Sequence, residues 1–172
     1  MADTTKLTAL LNKMPELDRG RVHGPKRSDA EPVYDEILAG GADNIVALIG
    51  MLKEVDNGED WRVRYVLHCI MTYIGAKETP KRSMVADALA SQLAADLPKT
   101  VKVFVLQQLQ LIGTKKHVSA IGKLLTDEIT SAPAAAALTA IRDGATAELK
   151  KALPGAKGRP KQDIQQAIKM LG

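Results

Sequence analysis

The chain is poor in the residues from which many sites are built. It holds a single cysteine, Cys69, in 172 residues, so no disulfide can form within it. Aromatic side chains make up only 3% of the sequence, with one Trp, one Phe and three Tyr. The interior must be filled by aliphatic residues and alanine, a composition that favours closely packed helices. No run approaches 18 consecutive apolar residues, which argues against a membrane-spanning helix. The opening "MADTTKLTALLNKMPELDRG" lacks a charged-then-apolar leader. The expectation is a soluble, cytoplasmic protein with no membrane partner. Sustained strict alternation of apolar and polar residues is also missing, so no strands are expected.

Chemistry-bearing clusters are equally sparse. His23, His68, His117 and Cys69 are scattered, without the paired spacing of a zinc site. His68 and Cys69 are adjacent, and neighbours on a helix diverge by about 100°, so they do not chelate together. Cys69 is expected to be a small buried residue rather than a nucleophile. "GRVHGPKRS" (20–28) is basic and rich in turn formers, but it lacks the GK[ST] ending and the preceding strand of a phosphate loop. It reads as a loop within 15–29. A lone Trp61 does not make a platform for stacking bases. No catalytic residue, metal or cofactor is expected, and the chain is expected not to be an enzyme.

Against this background stands a polar distribution of charge. The net charge is +4 and the pI about 9.2. Residues 29–60 hold nine acidic groups and one basic group, whereas residues 61–172 hold 17 basic and eight acidic groups. An acidic segment therefore precedes a long basic one, and a basic surface suits an anionic partner.

The second positive feature is repetition. "DWRVRYVLHCIMTYIG" (60–75) ends in "MTYIG", which returns as "LQLIG" (109–113), "LTAIRDG" (138–144) and "IKMLG" (168–172). The last apolar residues are Ile74, Ile112, Ile141 and Leu171. Three positions earlier stand Met71, Leu109, Leu138 and Ile168, and seven earlier Leu67, Val105, Ala134 and Ile164. Offsets of three and seven lie on one helical face. In "DWRVRYVLHCIMTYIG", Val63, Leu67, Ile70, Met71 and Ile74 are then expected to face the core. A helix is predicted before each unit, over 44–56, 85–96, 117–127 and 146–155, with apolar pairs Leu48/Leu52, Leu89/Leu93, Ile121/Leu125 and Leu149/Leu153. The N-terminal part adds a helix over 4–14, capped near Thr4 or Thr5, and a short helix over 30–40. The chain divides into 1–41, an N-terminal extension, and 42–172, four helical pairs, within one domain overall. Pairs of this size bury their apolar faces by stacking on one another.

These residues, above all 60–75 and "VKVFVLQQLQLIGTKKHVSAIGKLLTDEITSAPAAAALTAI" (101–141), resemble the HEAT repeats of compact bacterial proteins, including those related to phycobilin lyases. The likeness covers roughly 42–172. It implies an all-α solenoid of about four helical pairs. It also implies a structural ladder of a turn Asp and an Arg early in the second helix, which Asp60 and Arg64 match. Lys102 and Lys161 stand in the position of Arg64, and Ser131 interrupts the ladder.

The second helices offer Arg64, His68 and Thr72, then Lys102 and Gln110, then Lys161, Gln165 and Lys169, at matching positions. They are the candidate partner-binding residues, on the inner surface of such a stack. The expected function is a protein-interaction or scaffold module whose partner carries an acidic segment, the chain itself being a monomer or weakly self-associating. A nucleic-acid or polyanion binder is the first alternative. A tetrapyrrole lyase or chaperone, implied by the resemblance alone, is the second.

Overall fold

The computed structural model describes residues 2–14, 26–54, 59–75 and 80–172. Among these there are ten α-helices, two 3-10 turns and no strand. In chain order they are α1 (Thr4–Lys13), α2 (Arg27–Ala39), α3 (Gly41–Gly50), α4 (Trp61–Gly75), α5 (Pro80–Gln92), α6 (Lys99–Ile112), α7 (Val118–Gly122), α8 (Ser131–Ile141), α9 (Ala145–Ala152) and α10 (Gly158–Leu171). Most of the loop read over 15–29, including His23, lies outside the described residues, as does most of the turn at 56–60.

The even-numbered helices from α4 onward lie side by side, α4 on α6, α6 on α8 and α8 on α10. A second row runs α3, α5, α7, α9, each packed on the next. Within each successive pair the two helices also touch, α3 with α4 through to α9 with α10. The apolar register explains the packing. Met71, Leu109 and Leu138 are fully buried, as are Leu67, Val105, Ala134 and Ile164 in the slot one turn earlier. Ile141, Ile168 and Leu171 are only half-buried. At the opposite end α1 and α2 close over α3 and α4. Leu7, Leu10, Val33 and Ile37 join the same continuous core as the residues of the later helices.

Local capping moves several boundaries. Asp3, not Thr4 or Thr5, caps α1, its carboxylate accepting the N–H groups of Thr5 and Lys6 at 3.0 and 3.1 Å. The second helix begins at Arg27, three residues before the expected start, and carries Pro32 inside it. The helix predicted over 44–56 ends at Gly50, although Leu52 stays buried. Beyond it the backbone of Lys53 is held by two side chains from the start of α4. The helix predicted over 85–96 runs instead from Pro80 to Gln92. The one predicted over 117–127 is reduced to a 3-10 turn and the short α7. Asp127 is the reason: its carboxylate accepts the N–H groups of Ile129 and Thr130 at 3.0 and 3.2 Å, and Thr130 donates its hydroxyl to the Leu124 carbonyl. These side-chain bonds satisfy the backbone in a turn instead of a helix. Leu125 remains fully buried without being helical. Where α7 passes α9, a Cβ at Gly122 would sit 2.3 Å from Glu148 Cγ, so a larger residue there requires the Glu148 side chain to move.

Candidate interaction surface

The candidate residues occupy positions ten, six and two before the last apolar residue of each second helix. In α4 these are Arg64, His68 and Thr72; in α6, Lys102, Leu106 and Gln110; in α8, Ser131, Ala135 and Thr139; in α10, Lys161, Gln165 and Lys169. The contacts give this register a meaning. His68 Nδ1 lies 3.2 Å from Gln108 Oε1 on α6, and the Arg64 guanidinium lies over the Phe104 ring. Ser131 donates its hydroxyl to Asp163 on α10 at 2.7 Å. Leu106 is fully buried. Three of these positions thus touch the next second helix in the row, and what each helix carries there helps to fill the seam ahead of it.

Arg64 is engaged on three sides. Its Nε and Nη2 donate to Asp60 Oδ2 at 2.9 and 2.8 Å, and Nη2 also donates to the Lys53 carbonyl at 2.6 Å. The same carboxylate oxygen accepts the Lys53 N–H at 2.8 Å. Burial works against the Asp60 charge, but the bonds from Arg64 and the Lys53 N–H outweigh it and hold its carboxyl below the ordinary range. The pair ties α4 to the chain leaving α3, inside one helical pair. Thr72 turns its hydroxyl back to the Cys69 carbonyl of its own helix. Lys102 and Gln110 are half-buried, whereas His68, Lys161, Gln165 and Lys169 are exposed.

Links between successive pairs do exist, at residues the ladder pattern had not marked. Asp127 stands fourteen positions before Ile141, where Asp60 stands before Ile74, and it pairs with Lys99 at the start of α6. That hydrogen bond lowers its pKa. Ser131 carries the contact on to Asp163. The signal was the repeated fourteen-residue offset of Asp60 and Asp127.

Between α8 and α10 the seam stays open. A groove of ≈ 500 Å³ is lined on α8 by Ala132, Ala135, Ala136, Thr139 and Ala140, on α10 by Asp163, Gln166, Ala167 and Met170, and at one end by Arg142. Register explains it: where α6 offers the buried Leu106, α8 offers Ala135. Met170 is 63% exposed at its edge. Arg142 follows α8 with φ at +65°, a left-handed backbone, while its N–H still donates to the Leu138 carbonyl.

Carboxylates near this end already have partners within the chain: Asp163 with Ser131, Asp143 with Lys115, Glu148 with Lys151. Arg142, Lys161 and Lys169 have no ion pair among the described residues, so positive charge is left over at one end of the groove and on the exposed face of α10. The acidic α2 is different. Glu31, Asp35 and Glu36 pair with Arg27, Lys81 and Lys6.

Two other clusters have chemical interest. His117 is buried and receives the Thr114 N–H on Nδ1 at 3.0 Å, so its proton sits on Nε2, facing Asp87 Oδ1 at 2.9 Å. Thr114 Oγ1 lies 3.3 Å from the same Nδ1, an order of groups like that of a hydrolytic triad. The backbone N–H already occupies the nitrogen lone pair, so the arrangement is a capping box tied to α5. Hydrogen bonds from Lys116 and His117 hold the Asp87 carboxyl below its usual range. Cys69 is half-buried and shares hydrogen bonds with the Tyr34 and Tyr65 hydroxyls. Burial pushes the thiol pKa up, the two bonds offsetting part of the shift, and burial pushes Tyr65 up to about 12. Among the described residues no three His, Cys, Asp or Glu side chains gather as metal ligands. Nor, among them, is any helix long and apolar enough to cross a membrane.

No protein-family model matches the chain, and no curated protein matches it.

Proposed function

We propose that the chain is a non-enzymatic protein-interaction module, its two rows of helices forming a HEAT-like solenoid of four pairs capped by α1 and α2. The partner lies along the second-helix row, on the surface that carries His68, Lys161, Gln165 and Lys169. The observation that carries this reading is the unneutralised positive charge of Arg142, at one end of an open groove, and of Lys161 and Lys169, exposed on α10. A row of parallel helices also offers an extended surface of the kind repeat proteins use for binding. The partner segment is acidic, because rim cations speed and orient encounters with negative charge.

The same cations support one second reading, a polyanion binder. Against it stands the shortage of stacking groups: Trp61 is the only tryptophan, and Arg62 covers its ring at 4.6 Å. A tetrapyrrole lyase or chaperone rests on resemblance alone.

Affinity capture separates the two. The intact chain is used as bait beside a Lys161→Glu/Lys169→Glu variant, with and without nuclease. A discrete protein that survives nuclease and falls at least fivefold with the variant is the expected outcome. Material that nuclease releases in full would transfer the function to nucleic acid.

A further inference from the structure

We infer that the groove between α8 and α10 receives one face of an acidic amphipathic helix from a partner protein, with Ala135, Ala136 and Ala167 as the floor and Arg142 as the charged end. This rests on the proposed interaction function and gives it a place and a ligand chemistry.

Three observations lead there. The first is the gap itself. At the position where α6 buries Leu106 in its seam, α8 places Ala135, and a groove of ≈ 500 Å³ remains. Met170 at its edge keeps 63% of its surface in water. An apolar face laid across it would remove that surface from solvent.

The second is charge. Asp163, the acid in the lining, keeps its charge but is bonded to Ser131 at the start of α8, away from Arg142, which follows the end of that helix. Arg142 lines the groove and Lys169 stands on α10 next to Met170, both without an ion pair among the described residues. The complement is a segment with carboxylates flanking small or aliphatic residues.

The third is backbone chemistry. The lining belongs to helices whose own N–H and C=O groups are paired within them, so an extended strand would find no partners for its backbone. A helix satisfies its own backbone and presents side chains at i, i+3, i+4 and i+7 to the groove. From Ala132 to Ala140 the floor is about 12 Å long at 1.5 Å per residue, a little over two helical turns.

The probe is a fluorescein-labelled 18-residue peptide with Ala and Leu at i, i+3, i+4 and i+7 and Glu on the flanks. Its control has Lys for each Glu. Both are titrated by anisotropy into the intact chain at low salt. The acidic peptide should bind at least tenfold tighter than the basic one. Ala136→Trp, an exposed position, and Arg142→Glu should each weaken it at least fivefold, and Lys123→Glu on the other row should not. Circular dichroism checks that each variant is folded, and Arg142→Glu stands as the second test if Ala136→Trp misfolds. Equal binding of the two peptides, or no binding, overturns the inference. So does dodecanoate binding with the same dependence on Ala136 and Arg142, which would make the groove an acyl site. Self-association lost on Ala136→Trp would overturn it too, by assigning the groove to a second copy. If the acidic peptide binds, ignores Ala136→Trp and Arg142→Glu, yet is lost with Lys161→Glu/Lys169→Glu, the groove is wrong and the wider surface stands. Insensitivity to all of these changes removes both.

Discussion

Ser131 donates its hydroxyl to Asp163 across 2.7 Å, joining the starts of α8 and α10. Ser131 is fully buried, and it holds one edge of the helix pair whose other edge is open. Ser131→Ala should therefore lower stability by about 1.5–3 kcal/mol, the usual cost of losing a buried hydrogen bond to a charged group. Urea unfolding measures it. An unchanged midpoint would mean that Asp163 is equally well served by water.

The same residue shows what the sequence could and could not reveal. By sequence Ser131 interrupts a ladder defined by Asp and Arg pairs. Asp60 and Arg64 bond each other within one helical pair, and the links between pairs include Lys99–Asp127, Asp87–His117 and Ser131–Asp163. The apolar register was legible, since burial at three- and seven-residue offsets leaves a direct trace. Leu109 and Leu138 fall where that trace puts them. Helix lengths were less so. Asp127 and Thr130 stop α7 by bonding backbone groups, a competition that composition does not display. The groove was invisible because it arises from an alanine in one seam where another seam has leucine.

Leu109→Ala tests the apolar register. The side chain is fully buried in α6, and its truncation should cost about 2–5 kcal/mol through lost burial and the cavity left behind. A loss below about 0.5 kcal/mol by chemical denaturation would place Leu109 outside the core.

Asp60, Asp87 and Asp127 all have carboxyl pKa values held below 3.8 in the folded chain. A depressed folded pKa contributes stability that is present above the unfolded value and is lost as pH falls through the folded one. Thermal stability should decline from about pH 5 downward and continue to fall below the ordinary carboxylate range. Asp60→Asn should lower stability at pH 7 and flatten the acid decline. An Asp60→Asn profile parallel to that of the parent would show that the Arg64 pair adds nothing pH-dependent.

Cys69 should react slowly. Burial raises its thiol pKa, and the half-buried sulfur shares hydrogen bonds with two tyrosines. At pH 8 its reaction with a disulfide reagent should be at least tenfold slower in the folded chain than in urea. Equal rates would mean an open, ordinary thiol.

The central claim, that a partner lies along the second-helix row, is tested most directly by a photo-activated cross-linking residue. It is placed in turn at Gln165 and Ala136 on that row and at Lys123 on the other. One protein should be cross-linked from Gln165 and Ala136 and not from Lys123. Cross-linking of that protein from Lys123 alone would contradict it.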